Sequence, residues 1–111
     1  MSKCEVQDQA GFALVVVEGE VDMSWSNDLR QAILGPLNAG RPCMVDLSAV
    51  AYIDSSGIAA LVEGYQKAKG AGTFFGLVAV SDAVRSVLEL ARLDQVFPMY
   101  ENLEQAEASL S

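Results

Sequence analysis

The stretch from Val45 to Val62 changes its hydrophobic period in mid-run, and that change limits the folds open to the chain. Cys43, Met44 and Val45 form a short apolar run that suits a strand buried on both faces, with Asp46 and Ser48 breaking it at a turn. Ile58, Leu61, Val62, Tyr65 and Ala68 then recur at the spacing of one helical face. Between strand and helix stands Asp54-Ser55-Ser56-Gly57. Asp54 or Ser55 can cap the free N–H groups of the first turn, and Gly57 would let another chain or a phosphate approach the backbone. Ser56 then falls in the first turn, near the positive end of the helix dipole.

The rest of the chain alternates in the same way. Glu5 to Gln9 and Phe12 to Val21 read as strands, separated by so short a break at Ala10-Gly11 that they must form an antiparallel hairpin. Glu18, Glu20 and Asp22 share one face at the far end of the second strand. Ser24, Ser26 or Asn27 can cap a helix carrying Leu29, Ala32, Ile33 and Leu37, which Gly35-Pro36 should weaken or end. A strand from Cys43 to Leu47 and the helix from Ser56 to about Gly70 follow, then a strand from Thr73 to Val80. Ser81-Asp82 caps a helix with Val84, Val87, Leu88 and Ala91 on one stripe. A last strand at Val96 to Met99 leads to a helix capped by Asn102, with Leu103, Ala106 and Leu110 inward.

The order β-β-α-β-α-β-α-β-α gives an α/β fold, a mixed and mostly parallel sheet with packed helices, because strands joined through helices run parallel and only the first strand is antiparallel. At 111 residues the expectation is one domain spanning 1–111. Sites in such sheets gather at the carboxyl ends of the strands, where Asp22, Asp46 and Asp54 are all expected to fall.

Composition removes several classes of function. With 7 basic and 15 acidic residues the net charge of −8 repels nucleic acid, and suits docking to a basic protein surface. No apolar run approaches the roughly 18 to 20 residues needed to cross a bilayer, so membrane insertion is not expected. The start, Met1-Ser2-Lys3-Cys4-Glu5, carries no apolar segment of a secretory signal, which makes the cytoplasm the expected compartment. Cys4 and Cys43 are too far apart for a metal knuckle, there is no His, and both read as reduced thiols. Without His, Ser55 and Ser56 cannot belong to a Ser-His-Asp triad, so no catalytic residue and no cofactor are assigned. Asp22, Asp46 and Asp54 could form a Mg²⁺ cluster like that of a phosphoaspartate receiver, but the acidic pair after the first strand and the lysine after the last are missing.

Beyond these readings, Asp54-Ser55-Ser56-Gly57 and its surroundings resemble the STAS domains, most closely the bacterial anti-sigma factor antagonists. Val17-Glu18-Gly19-Glu20-Val21-Asp22 is similar to the family's first G-E-[LV]-D turn, and Val45-Asp46-Leu47-Ser48 to its D-[LF]-S strand end. Leu93-Asp94-Gln95-Val96-Phe97-Pro98-Met99-Tyr100 resembles its closing G-L-x-x-x-F strand. Ser24-Trp25-Ser26 departs from the threonine and alanine common in that loop, and Arg92 stands where glycine is common.

The resemblance implies a binding module and not an enzyme. Ser56 is implied as the phosphorylated serine, with Ser55 beside it, and Asp22, Met23, Ser24, Trp25, Asp54, Ser55, Ser56 and Gly57 as the docking face. The implied partners are an anti-sigma factor that is also a serine kinase, which releases its sigma factor when bound, and a PP2C-type phosphatase that resets the switch. A different role within the family is that of a constitutive subunit beneath a lipid-transporting ABC transporter. Trp25 and Met23 are open to two readings, an exposed anchor for a partner or side chains folded back onto the sheet.

Overall fold

The structure, a computed structural model, describes residues 3–110. Nine elements follow in the expected order: β1 (Lys3–Gln9), β2 (Phe12–Val21), α1 (Ser26–Asn38), β3 (Cys43–Ile53), α2 (Ser55–Ala71), β4 (Phe75–Val78), α3 (Asp82–Leu90), β5 (Met99–Tyr100) and α4 (Leu103–Leu110). The strands lie side by side in sequence order, with β1 antiparallel to β2 and the other pairs parallel.

That order explains how the core is divided. Each parallel crossover is right-handed and steps to the next strand in the same direction, which puts all the crossover helices on one face. Leu29, Ile33 and Leu37 of α1, Ile58, Leu61 and Ala68 of α2, and Val84 and Leu88 of α3 accordingly share one core with Val15, Val17, Val45 and Leu77. The opposite face is left to α4, whose Ala106, Leu103 and Leu110 cover Phe12, Leu14, Met44 and Val78. The bidentate pair between Arg30 and Glu63 ties α1 to α2 across half-exposed surface.

Several boundaries differ from the sequence reading, each for a local reason. The third strand does not turn at Asp46 and Ser48 but runs on to Ile53. It holds one extra residue against β2 between the pairs Val16↔Asp46 and Glu18↔Ala49, and another between Gly19↔Val50 and Glu20↔Tyr52. The first irregularity is a bulge folded around Asp46, whose Oδ1 accepts the Ser48 N–H at 2.9 Å and the Ser48 hydroxyl at 2.7 Å. A turn-forming pair of side chains has been absorbed into a strand.

Helix α1 also runs past Gly35-Pro36 to Asn38. Pro36 stands in the last turn, where its missing N–H costs one bond near an end that closes through short turns, with the Ala39 and Arg41 N–H groups both donating to the Pro36 carbonyl. None of Ser24, Ser26 and Asn27 caps this helix: the cap position is Trp25, with no side-chain hydrogen bond. Strand β4 is shorter than the Thr73 to Val80 run, pairing only from Phe75 to Val78, and the last strand is not Val96 to Met99 but Met99–Tyr100, because pairing with β4 begins only at Met99. Ser81 and Asn102 do cap α3 and α4 as expected, through bonds to the Val84 and Gln105 N–H groups.

Candidate functional site

Strands β2 and β3 end together at the pair Val21↔Ile53, and the Asp54 N–H donates to the Val21 carbonyl at 3.1 Å. Two loops therefore leave the sheet from one place: Asp22 to Trp25 toward α1, and Asp54 into α2. Asp54 is extended at φ −105° and caps α2, and the first helical bond runs from the Ile58 N–H to the Asp54 carbonyl at 3.0 Å. One carboxylate oxygen, Oδ1, accepts the Ser56 N–H at 2.9 Å, the Gly57 N–H at 3.2 Å and the Ser56 hydroxyl at 2.6 Å. The Ser56 hydroxyl above all holds the Asp54 carboxyl below the usual range, against the opposing effect of burial and with lesser help from the Gly57, Ser56 and Met23 N–H groups.

Ser56 is half-buried in the first turn and Ser55 is exposed beside it. Gly57 is buried: its open side faces the ends of β2 and β3, so its lack of a side chain serves the seating of α2 on the sheet and not the approach of a ligand from outside. Asp22 repeats the Asp54 arrangement on the neighbouring loop. Its Oδ1 accepts the Ser24 N–H at 3.0 Å and the Ser24 hydroxyl at 2.6 Å. The Trp25 and Ser26 N–H groups donate to its carbonyl.

Met23 and Trp25 share the rim with Ser56 but part company in exposure. Met23 is 80 % exposed, whereas Trp25 is half-buried against the main core. The reading of Asp46 as a rim acid does not hold: it lies inside β3, paired with Val16 and Val78, because the strand continues beyond it. Asp22, Asp46 and Asp54 are thus not gathered, and among the described residues no group of three or more His, Cys, Asp or Glu side chains could hold a metal ion. Cys4 and Cys43 are free thiols; burial pushes Cys43 up to about 12 and Cys4 up to about 11.

Sequence reasoning passed over Tyr52, which pairs with Glu20 at the end of β3 and stays 48 % exposed two residues from Asp54. The apolar and aromatic run Val50-Ala51-Tyr52-Ile53 carries the signal of a continuing strand, hidden by the expectation of a turn at Ser48. Ser81 was read as a cap only, yet its hydroxyl also donates to the Val50 carbonyl at 2.7 Å, on the side of β3 where β4 has already ended.

The arrangement defines a small α/β module with a rim on which Asp54 caps α2 and holds the Ser56 hydroxyl. The sequence matches the STAS domain family over residues 3–106, and the chain belongs to that family. The anti-sigma-F factor antagonist RsfB of Mycobacterium tuberculosis is 33 % identical over 103 residues, covering 91 % of this chain and 83 % of that protein. The crystal structure of an anti-sigma factor antagonist from Mycobacterium paratuberculosis superposes with a TM-score of 0.88 at 36 % identity, over 98 % of this chain and 93 % of the other. The fold is shared with the unphosphorylated anti-sigma factor antagonist SpoIIAA, at a TM-score of 0.82 and 17 % identity over 97 % of this chain and 96 % of that one. No helix among the described residues is long and apolar enough to cross a membrane.

Proposed function

We propose that this protein is an anti-sigma factor antagonist switched by phosphorylation of Ser56. Unmodified, it docks through the rim of Asp22, Met23, Ser24, Trp25, Asp54, Ser55, Ser56 and Gly57 onto an anti-sigma factor that is also a serine kinase, and so frees a sigma factor in the cytoplasm. Phosphorylated, it lets go, and a PP2C-type phosphatase restores it. The protein itself is a binding partner and not an enzyme, with no cofactor of its own. The RsfB and Mycobacterium paratuberculosis relatives, both named as anti-sigma factor antagonists, support the antagonist part of this reading.

The observation that carries the switch is the position of Ser56, only partly buried in the first turn of α2 on the rim that also bears Met23. A phosphate there would add about −1.5 to −2 charge at the positive end of the α2 dipole, while the Ser56 and Gly57 N–H groups remain bound to Asp54. A partner closed over a neutral hydroxyl would have to bury that charge without matched cations, at several kcal/mol and so about a hundredfold or more in affinity.

The experiment takes each anti-sigma factor serine kinase encoded in the same genome, with ATP and Mg²⁺. Phosphate should appear on Ser56 by mass spectrometry. By calorimetry Ser56→Asp should fail to bind, Ser56→Ala should bind and resist release by ATP, and Ser55→Ala should behave as the parent. Phosphate on Ser55 alone, or Ser56→Asp binding as tightly as the parent, would overturn the proposal.

A further inference from the structure

The Ser56 hydroxyl is held before any partner arrives. It donates to Asp54 Oδ1 at 2.6 Å, and the same oxygen is fixed in turn by the Ser56 and Gly57 N–H groups. The hydroxyl proton therefore points at a carboxylate, and the lone pairs of Oγ point away from it. Ser55, exposed on the next position, makes no side-chain hydrogen bond to any described residue, so its hydroxyl turns freely.

We infer that Asp54 takes part in the transfer of phosphate to Ser56, holding the hydroxyl in line and receiving its proton as Oγ closes on phosphorus. This rests on the reading of Ser56 as the phosphoacceptor. Ser56 Oγ attacks the γ-phosphorus of a nucleoside triphosphate held by the kinase, and the bond from that phosphorus to the β–γ bridging oxygen breaks. The nucleoside diphosphate leaves with the electron pair, the Oγ–H bond gives its proton to Asp54, and Asp54 passes it to water. The acceptor serine thus brings part of its own chemistry to the kinase.

Two physical points favour this. In a loose phosphoryl-transfer transition state the hydroxyl proton becomes acidic late, as the O–P bond forms, so a weak base in contact suffices and position matters more than basicity. A carboxylate held by three donors is also fully ionised at neutral pH and meets the hydroxyl with no reorganisation. The same Asp-x-Ser contact recurs at Asp22–Ser24 and at Asp46–Ser48, with serine hydroxyl distances of 2.6 and 2.7 Å. By itself the contact is a local turn device. At Ser56 it stands at the head of the 17-residue helix α2, whose N-terminal field meets the incoming phosphoryl group.

The test uses the full chain and whichever kinase phosphorylates it in the experiment above, with γ-labelled ATP. Asp54→Asn keeps a good cap for α2 but loses the proton acceptor, and Asp54→Ser does the same should the first variant fold poorly. Asp46→Asn is the control, since it makes the same change of charge at an equivalent contact away from the rim. The expected result is a kcat at Ser56, read at saturating protein, lower by about tenfold or more for the Asp54 variants, beyond any change in KM or binding affinity that follows from the place of Asp54 on the docking rim, with Asp46→Asn at the parent rate. A parent kcat for folded Asp54→Asn, or a loss carried by KM alone, would overturn the inference. Parent protein labelled elsewhere than Ser56 would instead overturn the proposed function beneath it, which mass spectrometry of the same samples reports separately.

Discussion

A β-carbon on Gly57 would stand 2.6 Å from Ile53 Cγ1, with Val21 Cγ1 at 2.8 Å on its other side. Helix α2 thus rests on the last residue pair of β2 and β3 at a separation only glycine permits. Gly57→Ala should lower stability by about 1–3 kcal/mol in urea denaturation, as overpacking of a close contact does, and should weaken partner binding by shifting Ser56 outward. Parent stability for Gly57→Ala would mean that the strand ends give way freely.

Among the described residues, two other than glycine hold left-handed backbone, Ala79 at φ 52° and Arg92 at φ 59°. Arg92 follows the end of α3, where its N–H donates to the Glu89 carbonyl and a left-handed residue closes the helix. Arg92→Gly should therefore raise stability by about 0.5–1 kcal/mol, offset in part by the greater freedom of the unfolded glycine chain, and Ala79→Gly should act in the same sense. A thermal melt of each variant checks this, and a lower melting temperature for both would contradict it.

Met23 and Trp25 should separate in a binding experiment because the structure separates them. Met23→Ala, at a side chain 80 % exposed, should leave the melting temperature unchanged while weakening the kinase partner's binding. Trp25→Ala should cost both stability and more than about 1 kcal/mol of affinity, since half its side chain packs on the core. Affinity unchanged in both variants would remove this loop from the proposed docking face.

Acid should loosen the head of α2. The Asp54 carboxyl titrates lower in the folded chain than in the unfolded one, chiefly through the Ser56 hydroxyl, so its contribution is complete above about pH 4 and lost as pH falls through the folded value. Glu63, lowered by Arg30, acts in the same direction. Melting temperatures measured from pH 7 to pH 3 should fall more steeply below about pH 4 for the parent than for Asp54→Asn, and equal slopes would refute the assignment.

Element order and the capped serine were legible because both depend on local chemistry: the change of period between Val45 and Ile58, the short carboxylate of Asp54, and the Ser81 and Asn102 caps. The length of β3 was not. Asp46 and Ser48 have the side chains of a turn, and only the pairing of Asp46 with Val16 and Ala49 with Glu18 of a distant strand makes the same hydrogen bonds into a bulge. Gly57 was read as an opening toward a partner because the sequence gives the glycine but not the direction it faces. The division between Met23 and Trp25 was hidden for the same reason.

Because the strands stand in the sheet in the order of their synthesis, none has to be inserted between two that are already paired. The hairpin of β1 and β2 is the most local pairing, and each later strand adds at a free edge. The Asp22 loop joins β2 to α1 and the Asp54 turn joins β3 to α2. During translation, then, the face that carries Ser56 can be assembled while β4, α3 and β5 are still to be made, and the last elements close the sheet on the side away from it.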